Sequence, residues 1–580
     1  MPPSKVAKRL WSLLFLVIAG FYLYGLGAVP LVGPDEPRYA EVASEMLARR
    51  DLITPTLGGL PWFEKPPLLY WLMMASYRLF GINEFAARLG PALCGLLTAI
   101  LVCWVATQVA RCQKICAVNE QAALEFKDET AALAQWSVLA LFSSIGTIVF
   151  SRAASFDIVV TMTLTGALTF FFIWQIRIAR SSARIHACGS PASVPAKTNN
   201  DWRFASALLL FGFYFFVGLS LLAKGLIGVV LPFGVIGVYF LMRLEWPDRS
   251  FSKSLLWGIP IAIATASVWY GPMIARHGGT FVDQFIVQHH FARFLTNKYH
   301  HRQPLYFYPL TLAWLVLPWT FLLAAAFVSA RSWRWRGDAP VDRLRVFALA
   351  WIVVPVVFFS FSESKLAAYI VPVLPGVALL VGERIACFLN VRSEEKIIRL
   401  TGMLLLLLAG AGIWYSVRAF GADIWRAIAV ALVSILVGAG TLVLPRARKT
   451  VFLLFSLATL TASAVALHSA APGVVRRDSV RDLLTIAAAK GYGAAPIVQF
   501  HRIERTAEFY AAGRVSYRPD GEPRMLEGAN EVADAAQRNG GLVLCLVPTE
   551  YEYQLLSYSR VQIEELGNNG RVSLVVVRAH

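Results

Sequence analysis

The residues of this chain best suited to chemistry sit in six short strings at the ends of apolar stretches. The first is Gly33-Pro34-Asp35-Glu36-Pro37-Arg38-Tyr39-Ala40-Glu41, and the second, Pro61-Trp62-Phe63-Glu64-Lys65-Pro66-Pro67, follows some thirty residues later. Ser151-Arg152-Ala153-Ala154-Ser155-Phe156-Asp157 is a tight turn that ends on a carboxylate, and Lys224 stands alone in Leu222-Ala223-Lys224-Gly225. The fifth is Gln288-His289-His290-Phe291-Ala292-Arg293-Phe294, and the sixth is Ser362-Glu363-Ser364-Lys365-Leu366-Ala367-Ala368-Tyr369. Carboxylates such as Asp35 and Asp157 suit general-base work or the orientation of a polar substrate. Lysine and arginine suit a phosphate, whose oxygens take charge-assisted hydrogen bonds from their N–H groups. Lys365 and Tyr369 are four apart, so a helix would turn an ammonium and a phenol toward one ligand.

Each string also has a plainer reading. Asp35, Glu36 and Asp157 suit the first turn or cap of a helix. Glu64 and Lys65 fit an interfacial belt of aromatics with a snorkelling lysine, and Lys224 either snorkels or binds an anion. His289 and His290 would point about 100° apart on a helix, so at most one of them shares a metal ion with Glu64. Taken together, the cations Arg38, Lys65, Lys224, Arg293 and Lys365 and the carboxylates Asp35, Glu64 and Asp157 are expected at one membrane depth. Charges near lipid cost on the order of 2.5–3.5 kcal/mol at a helix centre and less toward the interface. A shared lipid phosphate, with its tail along the bundle, would offset that cost.

The elements that must position these strings are membrane helices. Of 580 residues, 57% are hydrophobic and 16% charged, against a quarter charged in an ordinary soluble chain. The excess lies in thirteen apolar blocks, at 10–32, 86–110, 131–150, 157–178, 204–222, 225–243, 254–275, 306–329, 346–361, 366–383, 400–418, 424–444 and 450–470. A further stretch, 67–80, is too short to span and reads as interfacial or re-entrant. The composition excludes a soluble enzyme, a disordered chain and a disulfide scaffold. The net charge of +18 comes largely from basic residues in alternate loops, all on one side, which place the N-terminus in the cytoplasm by the positive-inside rule. No zinc-finger spacing or basic run with stacking aromatics points to nucleic acid.

The expected fold is an all-α polytopic membrane domain over 1–470, with outer loops at 33–85 and 276–305, then a small α/β domain over 471–580 on the outer face. Helices at 476–490, 505–512 and 530–539 alternate there with strands at 496–500, 542–547 and 572–577. Cys545 is that domain's only thiol, so it has no internal disulfide. This domain reads as an appendage whose removal leaves some ligand binding intact.

Asp35-Glu36-Pro37-Arg38-Tyr39, Trp62-Phe63-Glu64-Lys65-Pro66-Pro67, Arg293-Phe294 and Ser364-Lys365-Leu366 with Tyr369 resemble the GT-C integral membrane glycosyltransferases. The resemblance is nearest to the aminoarabinose transferases that modify lipid A, relatives of the protein O-mannosyltransferases. It implies a sugar donor linked through one phosphate to a polyprenyl chain, usually undecaprenyl, and transfer at the outer face of the cytoplasmic membrane. The acceptor would be lipid A, a glycolipid or a protein hydroxyl. Carried onto this chain, it makes Asp35 the catalytic carboxylate with Asp157 as its acidic partner. Lys65, Arg293 and Tyr369 become ligands of the donor phosphate, with Arg38, Lys224 and Lys365 at the same cavity. Glu64 with His290, or with His289, becomes a divalent-metal site for zinc or magnesium. The chain departs from the family pattern in two places: Gln288-His289-His290 stands where Glu-His is common, and Ala367 stands where a proline is usual. A transporter or flippase of a lipid-linked sugar is the alternative, but it usually carries internal repeats or paired broken helices, and neither is visible in the sequence.

Overall fold

In hydrocarbon a backbone must satisfy its own N–H and C=O groups, so the apolar blocks form helices. The computed structural model describes residues 5–115, 120–188, 197–292, 303–390, 395–420, 424–443, 449–519 and 521–579. Among these, eight helices are long and apolar enough to cross a bilayer, among them Phe156–Ala179, Phe204–Lys224, Pro340–Ser360 and Ala367–Leu389. Three shorter apolar helices, Arg9–Leu23, Ile227–Arg243 and Ala427–Val443, accompany them.

Two of the expected blocks are bent. Ala132–Ser143 and Ile145–Ser151 meet at 63°, and Phe307–Leu315 and Thr320–Ser332 at 119°. At the first bend the Ser143 and Ser144 hydroxyls donate to the carbonyls of Leu139 and Ala140, both at 2.6 Å, a back-bonding that competes with the helical ladder. Pro318 lies in the second break, where it removes a backbone donor. The segment expected as a loop from residue 276 continues as helix instead. Arg249–Phe281 is broken only at Gly278, at φ 53° and ψ −135°, and runs on as wider π turns over Val282–Ala292.

The chain divides into two compact units. The first comprises Met1–Tyr24, Pro91–Arg152 and Phe156–Ala464. Its core is built on aromatics, with Trp136, Trp174, Trp319 and Trp351 almost wholly buried. Polar tips find partners there: Trp319 Nε1 donates to Ser143 Oγ at 3.0 Å and Trp351 Nε1 to the Pro372 carbonyl at 2.8 Å. Two basic residues at helix ends, Arg243 and Arg343, also make internal ties. The fully buried Arg243 donates to Glu245 at 2.6 Å and to the carbonyls of Trp335 and Gly337 at 3.1 and 3.0 Å. Arg343 joins Glu245 and Asp338 at 3.2 and 2.7 Å.

The second unit comprises Gly25–Gly90, Ala153–Ser155 and Val465–His580. The first charged strings and the C-terminal region therefore belong to one body. Helix Leu68–Phe80 has 13 residues, too few to span. A hairpin of β1 (Thr56–Leu57) and β2 (Leu60–Pro61) turns through Gly58 and Gly59, both at positive φ, the conformation that a two-residue hairpin loop requires.

The C-terminal sheet contains β3 (Ile497–Phe500), β4 (Met525–Leu526), β5 (Leu542–Pro548), β6 (Val561–Asn568) and β7 (Val572–Ala579), in the order β4-β3-β5-β7-β6. β3 is parallel to β4 and β5, while β7 is antiparallel to β5 and β6. Alternate residues of β5 and β7 face two separate cores. Leu544, Leu546, Leu574 and Val576 pack with helix residues Leu483 and Ala507, whereas Val543, Cys545, Val575 and Val577 pack with Val532 and Ala536. Strands β3, β5 and β7 are apolar and legible in the sequence. The edge strand β6 is not, because Glu564 and Glu565 interrupt its alternation.

Candidate active site

In the second unit, helix Asp35–Arg49 carries the first string. Its start is fixed by Glu36, which is buried and accepts from Arg88 Nε at 3.0 Å and Nη2 at 2.7 Å. Glu36 also accepts from the backbone N–H groups of Val32 and Ala154, at 3.1 and 2.6 Å. Arg88 uses its remaining N–H groups on the carbonyls of Leu26, Val29 and Pro30, at 2.9, 2.6 and 2.8 Å. Of the two adjacent acids, Glu36 thus holds the chain in place while Asp35 stays exposed.

Arg38 follows three residues after Asp35, on the same helix face. Its guanidinium lies over the Trp62 ring, 5.2 Å from the centroid, within range of cation–π attraction. Burial works against its charge, but Glu64, Glu508 and Asp35 outweigh it and hold the Arg38 pKa above its ordinary value. The hairpin delivers Trp62 and Glu64: Trp62 N donates to the Pro55 carbonyl at 2.8 Å, and Glu45 accepts from Gly58 N and Gly59 N at 2.6 and 3.1 Å. A Cβ on Gly58 would overlap the Tyr517 ring at 2.1 Å, so only glycine allows this approach. Glu64 and Lys65 are both half-buried. Asp35, Arg38 and Glu64 therefore form one electrostatic group. Next along the helix, burial first and then Glu45 and Glu508 push the Glu41 carboxyl up to about 8.

In the first unit, Asp157 lies in the first turn of helix Phe156–Cys188 and Lys224 closes helix Lys197–Lys224. Both are placed where the helix dipole favours their charge. Lys224 Nζ donates to Asp157 Oδ1 and sits 4.9 Å from the centroid of the Tyr369 ring. A carboxylate absent from the neighbouring sequence thus partners Lys224, and three of the expected residues meet. Tyr369 also packs on Phe359, with ring centroids 5.1 Å apart.

Lys365 and Tyr369 do not share a helix face as expected. Leu366 is extended, and the following turn is a 3-10 helix that begins only at Ala367. Lys365 is buried and donates to the Gln303 carbonyl at 2.9 Å. Arg152 is occupied elsewhere, donating to the Tyr24 carbonyl at 2.7 Å with its guanidinium over Phe21. Arg293 and the side chain of His290 lie outside the described residues; His289 lies within the π turns of Val282–Ala292. Among the described residues, no three His, Cys, Asp or Glu side chains group to hold a metal ion.

Sequence reading missed two residues that order this region, Arg88 and Glu508. An arginine at the edge of an apolar block is itself a signal, so Arg88 was findable. Glu508 sits in an ordinary-looking helix, Thr506–Tyr510, and carries no such mark.

The profile of the dolichyl-phosphate-mannose-protein mannosyltransferases matches residues 9–120. The undecaprenyl phosphate-alpha-4-amino-4-deoxy-L-arabinose arabinosyl transferase of Aeromonas salmonicida is 30% identical over 441 residues, covering 74% of this chain and 70% of that one. The protein of the same name from Aeromonas hydrophila is 30% identical over 436 residues, covering 73% and 70%. The crystal structure of ArnT from Cupriavidus metallidurans bound to undecaprenyl phosphate superposes with a TM-score of 0.71, at 21% identity and over 98% of both chains, so it shares the fold.

Fold and relatives together define a multi-pass membrane glycosyltransferase that draws its sugar from a polyprenyl phosphate. Within that class, the chain belongs to the undecaprenyl phosphate-alpha-4-amino-4-deoxy-L-arabinose arabinosyl transferase family. The transporter alternative is set aside.

Proposed function

We propose that the enzyme moves 4-amino-4-deoxy-L-arabinose from undecaprenyl phosphate to a phosphate of lipid A, at the outer face of the cytoplasmic membrane. An acceptor phosphate oxygen attacks the anomeric carbon. The bond from that carbon to the donor phosphate oxygen breaks, and undecaprenyl phosphate leaves with the electron pair. A phosphate acceptor is already ionised at neutral pH, so the step needs no strong base. Asp35 then orients the sugar and offsets the charge of its amine. Were the acceptor a hydroxyl, Asp35 would take its proton.

The main demand is on the leaving group, whose phosphate gains charge as the bond breaks. Cations placed in advance stabilise that charge most effectively where water is scarce. Arg38, Lys65, Lys224, Lys365 and Arg293 are assigned to this work, with Tyr369 donating from its phenol. Asp157 holds Lys224 in place. Glu64 with His290 or His289 remains the proposed divalent-metal site, for zinc or magnesium.

The observation that carries this reading is the buried Arg38 guanidinium over Trp62, with Asp35 and Glu64 in electrostatic reach. A buried cation among carboxylates, beside an exposed aspartate, suits an anionic headgroup bearing a cationic sugar. The test is a transfer assay with purified full-length protein, the undecaprenyl-phosphate-linked aminosugar and lipid A. Wild type should yield sugar-modified lipid A by mass spectrometry and Asp35→Asn should yield none. Normal turnover by Asp35→Asn would remove Asp35 from the mechanism, and an unmodified lipid A with wild type would remove the acceptor.

A further inference from the structure

We infer that Glu508, in the C-terminal region, is a positioning residue for Arg38 and hence for donor binding. The inference rests on the donor role proposed above for Arg38. Glu508 Oε2 lies 3.9 Å from Arg38 Nε, and its side chain is completely shielded from solvent. Among the described residues neither of these two atoms has a hydrogen-bond partner, which is uncommon for buried polar groups. The other oxygen, Oε1, accepts from Arg505 Nη1 at 3.0 Å, and Arg505 also bonds Glu522. Glu508 is thus held from behind, with one carboxylate oxygen turned to the Nε edge of Arg38.

The short helix that carries Glu508 is itself pinned to the segment bearing Arg38. Tyr510, two residues on, donates from its hydroxyl to Glu84 at 3.0 Å and accepts from Leu31 N at 2.7 Å. Arg481 adds a second bond to Glu84 at 3.1 Å. Gly521, in the same unit, lies against the Trp62 ring on which Arg38 rests. The Arg38 guanidinium is therefore bounded by Trp62 on its face and by Glu508 at its Nε edge.

An anion this buried is unsuited to bind a phosphate directly. It can, however, fix the plane of the guanidinium, leaving the terminal N–H groups for a ligand. The distance is about 1 Å beyond a hydrogen bond, so a small shift of either side chain makes or breaks the contact. This gives the C-terminal region a part in donor recognition without touching the donor.

The test measures the affinity of undecaprenyl phosphate for full-length wild type, Glu508→Gln, Arg38→Gln and the double variant, with a thermal melt of each. Glu508→Gln should weaken binding roughly tenfold, the scale of one charge-assisted hydrogen bond. In the Arg38→Gln background the same change should have no further effect, because Glu508 acts through Arg38. Unchanged affinity in folded Glu508→Gln, or full additivity in the double variant, would overturn the inference. If Glu508→Gln does not fold, Glu508→Asp, which draws the charge back by one methylene, replaces it and should weaken binding; unchanged affinity there also overturns the inference. A wild type that does not bind undecaprenyl phosphate would instead refute the donor assignment on which this rests.

Discussion

Arg88 and Glu36 meet as a buried two-point pair, with N–O distances of 3.0 and 2.7 Å, although 52 positions separate them. The pair closes the start of the helix that presents Asp35 and Arg38. Removing either partner leaves the other charge buried without its counterion, which costs about 3–5 kcal/mol. Arg88→Ala and Glu36→Gln should therefore lower the melting temperature in detergent by several degrees and reduce transfer in parallel. Full stability in either variant would show that the pair does not hold the helix.

Lys224 and Asp157 are paired at the ends of two membrane helices. Lys224→Met should raise the donor KM and lower kcat/KM about ten- to hundredfold, as expected for one charged hydrogen bond to a phosphate. Steady-state kinetics with varied donor checks this. An unchanged donor KM would assign Lys224 to structure alone.

Glu41 provides a pH dependence. Burial, reinforced by Glu45 and Glu508, raises its carboxyl from the ordinary 4.5 to about 8. Between these values the folded protein holds a proton that the unfolded chain has lost, so stability falls as pH rises through the window and levels off above it. Melts from about pH 5 to about pH 9 should show this decline in wild type and a smaller one in Glu41→Gln. At the alkaline end Glu41→Gln should be the more stable protein. Parallel curves for the two would mean that Glu41 titrates normally.

Removal of residues 471–580 should abolish donor binding. The sequence alone predicts a separable appendage, but these residues share a compact unit with 25–90 and supply Glu508, Tyr510 and Arg481 to it. Their loss would expose Leu31, Arg38 and Glu84 to water and leave the hairpin without Tyr517 against Gly58. Undecaprenyl phosphate binding by the truncated protein decides the point, and wild-type affinity would restore the appendage reading.

Much of the fold was legible because it follows from local properties. Apolar runs near twenty residues long specify membrane helices whatever their neighbours are. The stretch 67–80 could be recognised as too short to span by counting alone. Strands β3, β5 and β7 announced themselves as apolar runs, whereas β6, with its glutamates at an edge, did not. The bends near Ser144 and Pro318, of 63° and 119°, were not read from the sequence, because residue type alone does not fix how two helix segments meet. The charged strings, too, were visible, since a carboxylate or cation at the end of an apolar block is unusual in itself.

By itself the sequence determined the membrane class, the helical segments and the set of ionic residues available for chemistry, because hydropathy and side-chain chemistry are read one neighbourhood at a time. Only the tertiary structure decided which of those residues meet. It gave Glu36 to Arg88 and left Asp35 exposed, matched Lys224 with Asp157 and Tyr369, tied Lys365 to a backbone carbonyl, and brought Glu508 to Arg38. Partner choice of this kind is made by the packing of segments far apart in the chain, where the cost of burying a charge selects the opposite charge that comes within reach.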